Sequence, residues 1–142
     1  MQPVPPGCWT LYILENDEAV RESICALAAS SGWRHRAFSC APAFFRQVCA
    51  GERGCLLVDW DLPGVDADGF LRALQDHYPK LPLVVMTARD DPTNLARIEA
   101  TEPAAILPRP FTFPELSQAV AKALRQLSQG EAEPRPRKQR GA

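Results

Sequence analysis

The sequence lacks the signatures of several large protein classes. No apolar run approaches the roughly 18 residues of a transmembrane helix, and the amino-terminal segment has no basic stretch followed by an apolar core, as a secretory signal would. The net charge of -1 offers no strongly basic surface for nucleic acid. We therefore expect a cytoplasmic domain whose folded part binds neither membranes nor nucleic acid.

The cysteines also lack a framework pattern. Their number is five, which is odd, and no C-x-x-C pair occurs among them. Disulfide scaffolds and zinc sites require paired, regularly spaced cysteines. We therefore interpret these residues as small side chains that pack in the core or lie at the surface.

A strand followed by a helix recurs five times along the chain. The predicted strands are Leu11–Leu14, Arg34–Phe38, Cys55–Val58, Leu83–Met86 and Ala104–Leu107. The unbroken apolar run Cys55–Val58 is typical of a strand that is buried on both faces of a parallel sheet. The order predicts an α/β fold, a doubly wound five-stranded parallel sheet of (βα)5 type.

Capping residues indicate where several helices begin. The first helix is expected from about Asp17 to Ser31, with the acidic Asp17 and Glu18 at its positive end. Ser39 is the predicted N-cap of the second helix. Asp91 followed by proline suits the start of the fourth helix. Thr112 and Glu115 form a capping box before the fifth.

The predicted domain boundaries follow from the apolar pattern. Residues 1–9 form an amino-terminal extension, and residues 10–128 form the domain. Residues 129–142 contain no apolar side chain larger than alanine apart from proline, and we predict a disordered tail or linker there.

Polar residues collect where the predicted strands end. In doubly wound sheets the binding site lies at the carboxyl ends of the strands. The residues found there are Glu15, Asn16, Asp59, Asp61, Thr87 and Arg109. Carboxylates, a hydroxyl and a cation together suit Mg²⁺ and a phosphoryl group. One carboxylate could itself act as the nucleophile.

With these motifs in order, residues 10–128 resemble the receiver domain of bacterial response regulators, the phosphoacceptor module of two-component signalling. The resemblance rests on the acidic end of the first strand, LLVDWDLPG, VVMTA and PRPF. Asp59 and Thr87 are 28 residues apart, and Thr87 and Arg109 are 22 apart, as in that family. The resemblance implies the flavodoxin-like receiver fold.

The family pattern implies roles for three residues. Asp59 is implied to accept a phosphoryl group from a histidine kinase or phosphotransfer protein. Thr87 is implied to be the hydroxyl that moves toward the phosphoryl oxygens. Arg109 stands where the family has lysine. Because guanidinium is a planar fork and ammonium a compact charge, we expect Arg109 to pair with phosphate without reaching Asp59 in the resting state.

The resemblance also implies a magnesium site made of Glu15, Asn16, Asp59 and the backbone carbonyl of Asp61. Asn16 stands where the family has a second acidic residue. A neutral amide removes one negative charge from the site. We hypothesise that Mg²⁺ binds weakly and that the Asp61 carboxylate partly replaces the missing charge.

Two other positions, Ile106 and Trp60, also receive an interpretation from the sequence. Ile106 stands where the family often has an aromatic residue that rotates, so a backbone or helix-four shift is expected to carry the signal instead. Trp60 is interpreted as a partly exposed loop residue.

Three functions remain as alternatives. The first is a phosphorylated receiver that signals to a downstream protein or output domain, in the family usually through helix four, strand five and helix five. The second is a pseudo-receiver, an interaction or dimerisation module that does not depend on phosphate. The third is a nucleotide- or flavin-binding enzyme, against which the absence of G-x-G-x-x-G, P-loop and G-x-S-x-G motifs argues. We expect that the chain is not an enzyme. A homodimer and a fragment of a longer regulator both stay open.

Overall fold

Strands and helices alternate along the whole described part of the chain. The computed structural model describes residues 8–61, 66–89 and 91–132. The strands are β1 (Thr10–Leu14), β2 (His35–Phe38), β3 (Gly54–Asp59), β4 (Leu83–Thr87) and β5 (Ala105–Pro108). The helices are α1 (Glu18–Ser30), α2 (Ala41–Gln47), α3 (Ala67–His77), α4 (Pro92–Glu99) and α5 (Phe113–Ala132).

The strands form one parallel sheet in the order β2-β1-β3-β4-β5. The strand order reverses direction between β1 and β3, so the crevice that such sheets use for binding lies at the carboxyl ends of these two strands. The predicted doubly wound fold is confirmed.

Alternating side chains of the strands divide the core into two layers. Along β1, Leu11 and Ile13 pack in the layer that contains α1 and α5, whereas Tyr12 and Leu14 pack with α2, α3 and α4. All four side chains are fully buried or nearly so. Both faces of the sheet are therefore covered, and only its strand ends are left for a functional site.

Gly54 at the start of β3 is required by its backbone. Its φ is +153°, and a Cβ atom there would come within 1.9 Å of the Thr10 carbonyl oxygen. Only glycine allows β1 and β3 to pair so closely at this point.

Apart from one-residue shifts at the ends of strands and helices, three assignments differ from the sequence prediction. Cys40, and not Ser39, is the N-cap of α2, and it makes no side-chain capping hydrogen bond. Trp9 is buried in the core, although it was assigned to the amino-terminal extension. Helix α5 continues to Ala132, so residues 129–132 are helical and do not belong to a disordered tail.

Some sequence predictions fall outside the described residues. The LPG turn after Asp61 and the tail segment 133–142 are among them. Within the described ranges, no helix combines the length and the hydropathy that a membrane crossing demands.

Candidate functional site

The sheet register brings four strand ends to one crevice. Leu14 pairs with Val58, which places Glu15 beside Asp59. Asp59 pairs with Met86, and Thr87 pairs with the residue that precedes Arg109. The backbone N–H of Arg109 donates to the Thr87 carbonyl at 2.8 Å. The register alone therefore assembles the acid–hydroxyl–cation set that the sequence predicts.

Arg109 joins the two buried carboxylates. Its Nη2 lies 2.8 Å from Asp59 Oδ1, and its Nη1 lies 3.2 Å from Glu15 Oε1. The expectation that Arg109 does not reach Asp59 is therefore wrong. The planar guanidinium carries several N–H groups in a fixed fork, so one side chain can contact two acids that a single ammonium could not bridge in the same way.

Burial makes this bridge important for Glu15. Burial raises the pKa of Glu15 above its ordinary value, and the charge of Asp59 acts in the same direction. The Asp17 N–H, which donates to Glu15 Oε2 at 3.0 Å, and the Arg109 guanidinium oppose this rise in pKa. Arg109 thus stabilises two negative charges that the sheet would otherwise hold side by side.

The Asp61 carboxylate lies on the opposite side of the crevice, near the end of β4. Its Oδ2 is 3.4 Å from Thr87 Oγ1 and accepts the Ala88 N–H at 3.2 Å. Its Oδ1 forms an ion pair with Arg89 Nε at 3.1 Å. The Asp61 backbone N–H donates to Asp59 Oδ1 at 2.9 Å. Asp61 therefore connects the phosphoacceptor candidate to Thr87.

Asn16 is exposed, unlike Glu15. The guanidinium of Arg21 donates to the backbone carbonyls of both residues, at 2.9 Å for Glu15 and 3.3 Å for Asn16. This contact fixes the loop that follows β1.

The donors at the crevice fit Mg²⁺ in type, because they are all oxygen atoms. Among the described residues, no three His, Cys, Asp or Glu side chains cluster around a metal position. An ion there would need the Asn16 amide and the Asp61 backbone carbonyl beside Glu15 and Asp59. Glu15 Oε1 is buried and makes no hydrogen bond in the described structure, and the cation it faces is Arg109 Nη1 at 3.2 Å.

Trp60 is buried and not partly exposed, which corrects the sequence interpretation. Its indole Nε1 donates to Asn94 Oδ1 at 2.8 Å, and the Asn94 amide nitrogen donates to Thr87 Oγ1 at 3.2 Å. Sequence reasoning missed Asn94. The available signal was the thin apolar stripe of α4, whose buried residues are Asn94 and Ile98.

The fold and this crevice define a class of protein. The profile of the response regulator receiver domain matches residues 11–121. The chain therefore belongs to the response regulator receiver family of two-component signalling.

Particular relatives include two named regulators. The chain is 30% identical over 118 residues to the transcriptional regulatory protein FixJ of Bradyrhizobium diazoefficiens, covering 82% of this chain and 57% of FixJ. It is 29% identical to the DNA-binding transcriptional regulator NtrC of Rhizobium meliloti, covering 81% of this chain and 24% of NtrC. The chain thus spans only part of the length of these relatives.

A solved structure supports the same relationship. The response regulator StyR superposes with a TM-score of 0.76 at 26% identity, covering 87% of this chain and 62% of StyR.

Replacing Arg109 tests the bridge between the two acids. We expect Arg109→Met to lower the free energy of unfolding by about 3 kcal/mol at neutral pH, because two buried carboxylates lose their shared cation. The measurement is urea denaturation between pH 4 and 7. Folding raises the pKa of the Glu15 carboxyl above its ordinary value of 4.5. Such an acid lowers the free energy of unfolding as the pH rises above the pKa of the unfolded state. The loss should therefore grow with pH.

The matched control is Arg89→Met. Arg89 is largely exposed, at 59% of its side chain, and pairs with Asp61. An exposed pair contributes about 1 kcal/mol or less. Equal losses for the two variants, or a loss at Arg109 that does not change with pH, would contradict the bridging role.

Proposed function

We propose that this receiver accepts a phosphoryl group on Asp59 from a phosphohistidine of a histidine kinase or phosphotransfer protein. The observation that carries the proposal is the Asp59 carboxylate, buried at the end of β3 and bound by Arg109 at 2.8 Å. Contacts from Arg109 and from the Asp61 N–H both fall on Oδ1. We assign the attack on phosphorus to Oδ2.

The transfer is a single exchange of bonds. A P–O bond forms between Asp59 and phosphorus while the P–N bond to the donor imidazole breaks. The electron pair of that bond stays on the imidazole nitrogen, and with a proton on its other nitrogen the ring leaves as neutral histidine. The product on this chain is an aspartyl phosphate.

Two side chains and one backbone N–H would orient this step. Arg109 can keep one N–H on Asp59 while its other N–H groups contact the incoming phosphoryl oxygens. Thr87 can donate its hydroxyl proton to a phosphoryl oxygen. The Ala88 N–H, which now donates to Asp61 Oδ2, is a further donor at the same strand end.

Glu15, Asn16, Asp59 and the Asp61 carbonyl are the groups that we propose for Mg²⁺. When bound, the ion offsets the negative charge of the phosphoryl oxygens. With Arg109 present, the carboxylates of Glu15 and Asp59 retain one net negative charge between them. We therefore propose weak binding, with Asp61 supplying charge that Asn16 does not.

One observation favours a pseudo-receiver as the second candidate. Arg109 already pairs with both buried acids, and Asp61 already pairs with Arg89. A site whose charges are satisfied without metal or phosphate could serve as a purely structural part of an interaction module. Whether Asp59 reacts with a phosphodonor distinguishes the phosphorylated receiver from the pseudo-receiver.

The output side is also a proposal. Ile106 of β5 is half-buried and packs against the core layer of α2, α3 and α4. We propose that phosphorylation changes contacts of the face formed by α4, β5 and α5 with a downstream protein, an output domain or a second copy.

Reactivity of Asp59 is tested with acetyl phosphate and Mg²⁺. We expect an acid-stable, base-labile mass gain of one phosphoryl group, because a carboxylate acceptor gives an acyl phosphate. Intact-protein mass spectrometry measures it, and Asp59→Asn should abolish it. Asp76→Asn, an exposed carboxylate of α3, is the matched control and should react normally. No gain in the native chain at any Mg²⁺ concentration would favour the pseudo-receiver.

Magnesium affinity tests the charge argument. We expect Asn16→Asp to tighten Mg²⁺ binding about tenfold and Asp61→Asn to weaken it, because ligand charge sets the affinity of such sites. Calorimetric titration measures both. Glu18→Gln removes one exposed charge from the first turn of α1 and serves as the control. Unchanged affinity in Asp61→Asn would reject the compensation by Asp61.

A further inference from the structure

A buried amide outside the acidic crevice contacts the Thr87 hydroxyl. Asn94 lies on α4 and is 4% exposed. Its Oδ1 accepts from Trp60 Nε1 at 2.8 Å, and its Nδ2 donates to Thr87 Oγ1 at 3.2 Å and to the Arg89 carbonyl oxygen. The amide oxygen of Asn94 therefore has one donor partner, and its NH2 group has two acceptor partners.

The indole group fixes the orientation of the amide. Nε1–H of tryptophan can donate but cannot accept, so the oxygen of Asn94 must face Trp60. The amide nitrogen must then face Thr87. A reversed amide would place two donors against each other at Trp60 and leave the buried indole N–H unpaired, which is costly.

The oriented amide in turn sets the polarity of the Thr87 hydroxyl. Thr87 Oγ1 accepts from Asn94 Nδ2 and from the Arg89 N–H at 3.0 Å. These two bonds use both acceptor positions of a hydroxyl. Its proton must therefore be donated, and the acceptors within reach are the Arg89 carbonyl at 3.2 Å and Asp61 Oδ2 at 3.4 Å.

The same residues connect the crevice to α4. Asn94 stands in the first turn of this helix, where its N–H is capped by Asp91 at 2.9 Å. Arg97, one turn further along, places its guanidinium 5.4 Å from the centre of the Trp60 ring. The Thr87 hydroxyl is therefore one hydrogen bond away from α4, by a contact that does not involve Ile106.

We propose that Trp60 and Asn94 are positioning residues that hold the Thr87 hydroxyl as a hydrogen-bond donor to the phosphoryl group and couple its movement to α4. This inference rests on the proposed phosphorylation of Asp59. When Thr87 turns toward the phosphoryl oxygen, its bond from Asn94 lengthens or the amide follows. Either change alters the hydrogen bond that Trp60 donates.

The indole N–H signals of the full chain report this change in ¹H–¹⁵N NMR spectra. The chain contains three tryptophans, and loss of one signal in Trp60→Phe assigns Trp60. On addition of acetyl phosphate and Mg²⁺, we expect the Trp60 signal to shift and the Trp9 signal to stay in place. Asn94→Ala should remove the shift of Trp60, although Asp59 is still phosphorylated.

Phosphorylation rates supply the second readout. Asn94→Ala and Trp60→Phe should each slow the mass gain at Asp59 about three- to tenfold, the effect of one hydrogen bond. Because the two residues act in series, the double variant should be no slower than either single one. Trp60→Phe keeps an aromatic ring under Arg97, so it tests the N–H group even if Asn94→Ala fails to fold.

Ile98→Val is the control for packing, because Ile98 is buried on the same helix and takes no part in these hydrogen bonds. It should retain the Trp60 shift and the native rate within about twofold. Additive losses for Trp60→Phe and Asn94→Ala, or an unchanged Trp60 shift in Asn94→Ala, would overturn the relay while Asp59 still reacts. A native chain that gains no phosphoryl group would instead overturn the proposed function together with the relay.

Discussion

The contact of one guanidinium with two buried carboxylates is the constraint on which the functional site depends. Arg109 binds Asp59 at 2.8 Å and Glu15 at 3.2 Å, and its own backbone is held to β4 through the Thr87 carbonyl. The ends of β1, β3, β4 and β5 are thus connected through a single residue. The guanidinium makes this bridge with two different N–H groups of one planar fork, one for each carboxylate.

Thr87 is the point where an ionic and a neutral network meet. On one side, Asp61 links its hydroxyl to the acids and to Arg89. On the other side, Asn94 links the same hydroxyl to Trp60 and to α4. Asp59 is therefore connected to α4 through two intervening residues, Asp61 and Thr87. This arrangement offers a physical route for a signal in a receiver with isoleucine at position 106.

Much of the fold and the site composition could be predicted from the sequence, because both follow from periodic burial and from strand ends. The apolar run before Asp59 identifies a doubly buried strand, and the parallel register then places Asp59, Thr87 and Arg109 together. Which side chains contact each other, and how deeply each is buried, could not be predicted in this way. The contact of Arg109 with Asp59 depends on the depth of the crevice, and the burial of Trp60 depends on a partner 34 residues away. Helix α5 continues beyond its last large apolar residue, because helical hydrogen bonds propagate through polar residues once the helix has been nucleated.

The central claim is that the buried Asp59 carboxylate is the phosphoacceptor, and chemical trapping tests it most directly. Borohydride reduces an aspartyl phosphate to homoserine, whose position is then read from peptide mass spectra of the treated protein. We predict homoserine at position 59 of the chain after treatment with a phosphorylated histidine kinase or acetyl phosphate. Homoserine at another carboxylate such as Asp61, or none at all, would contradict the account.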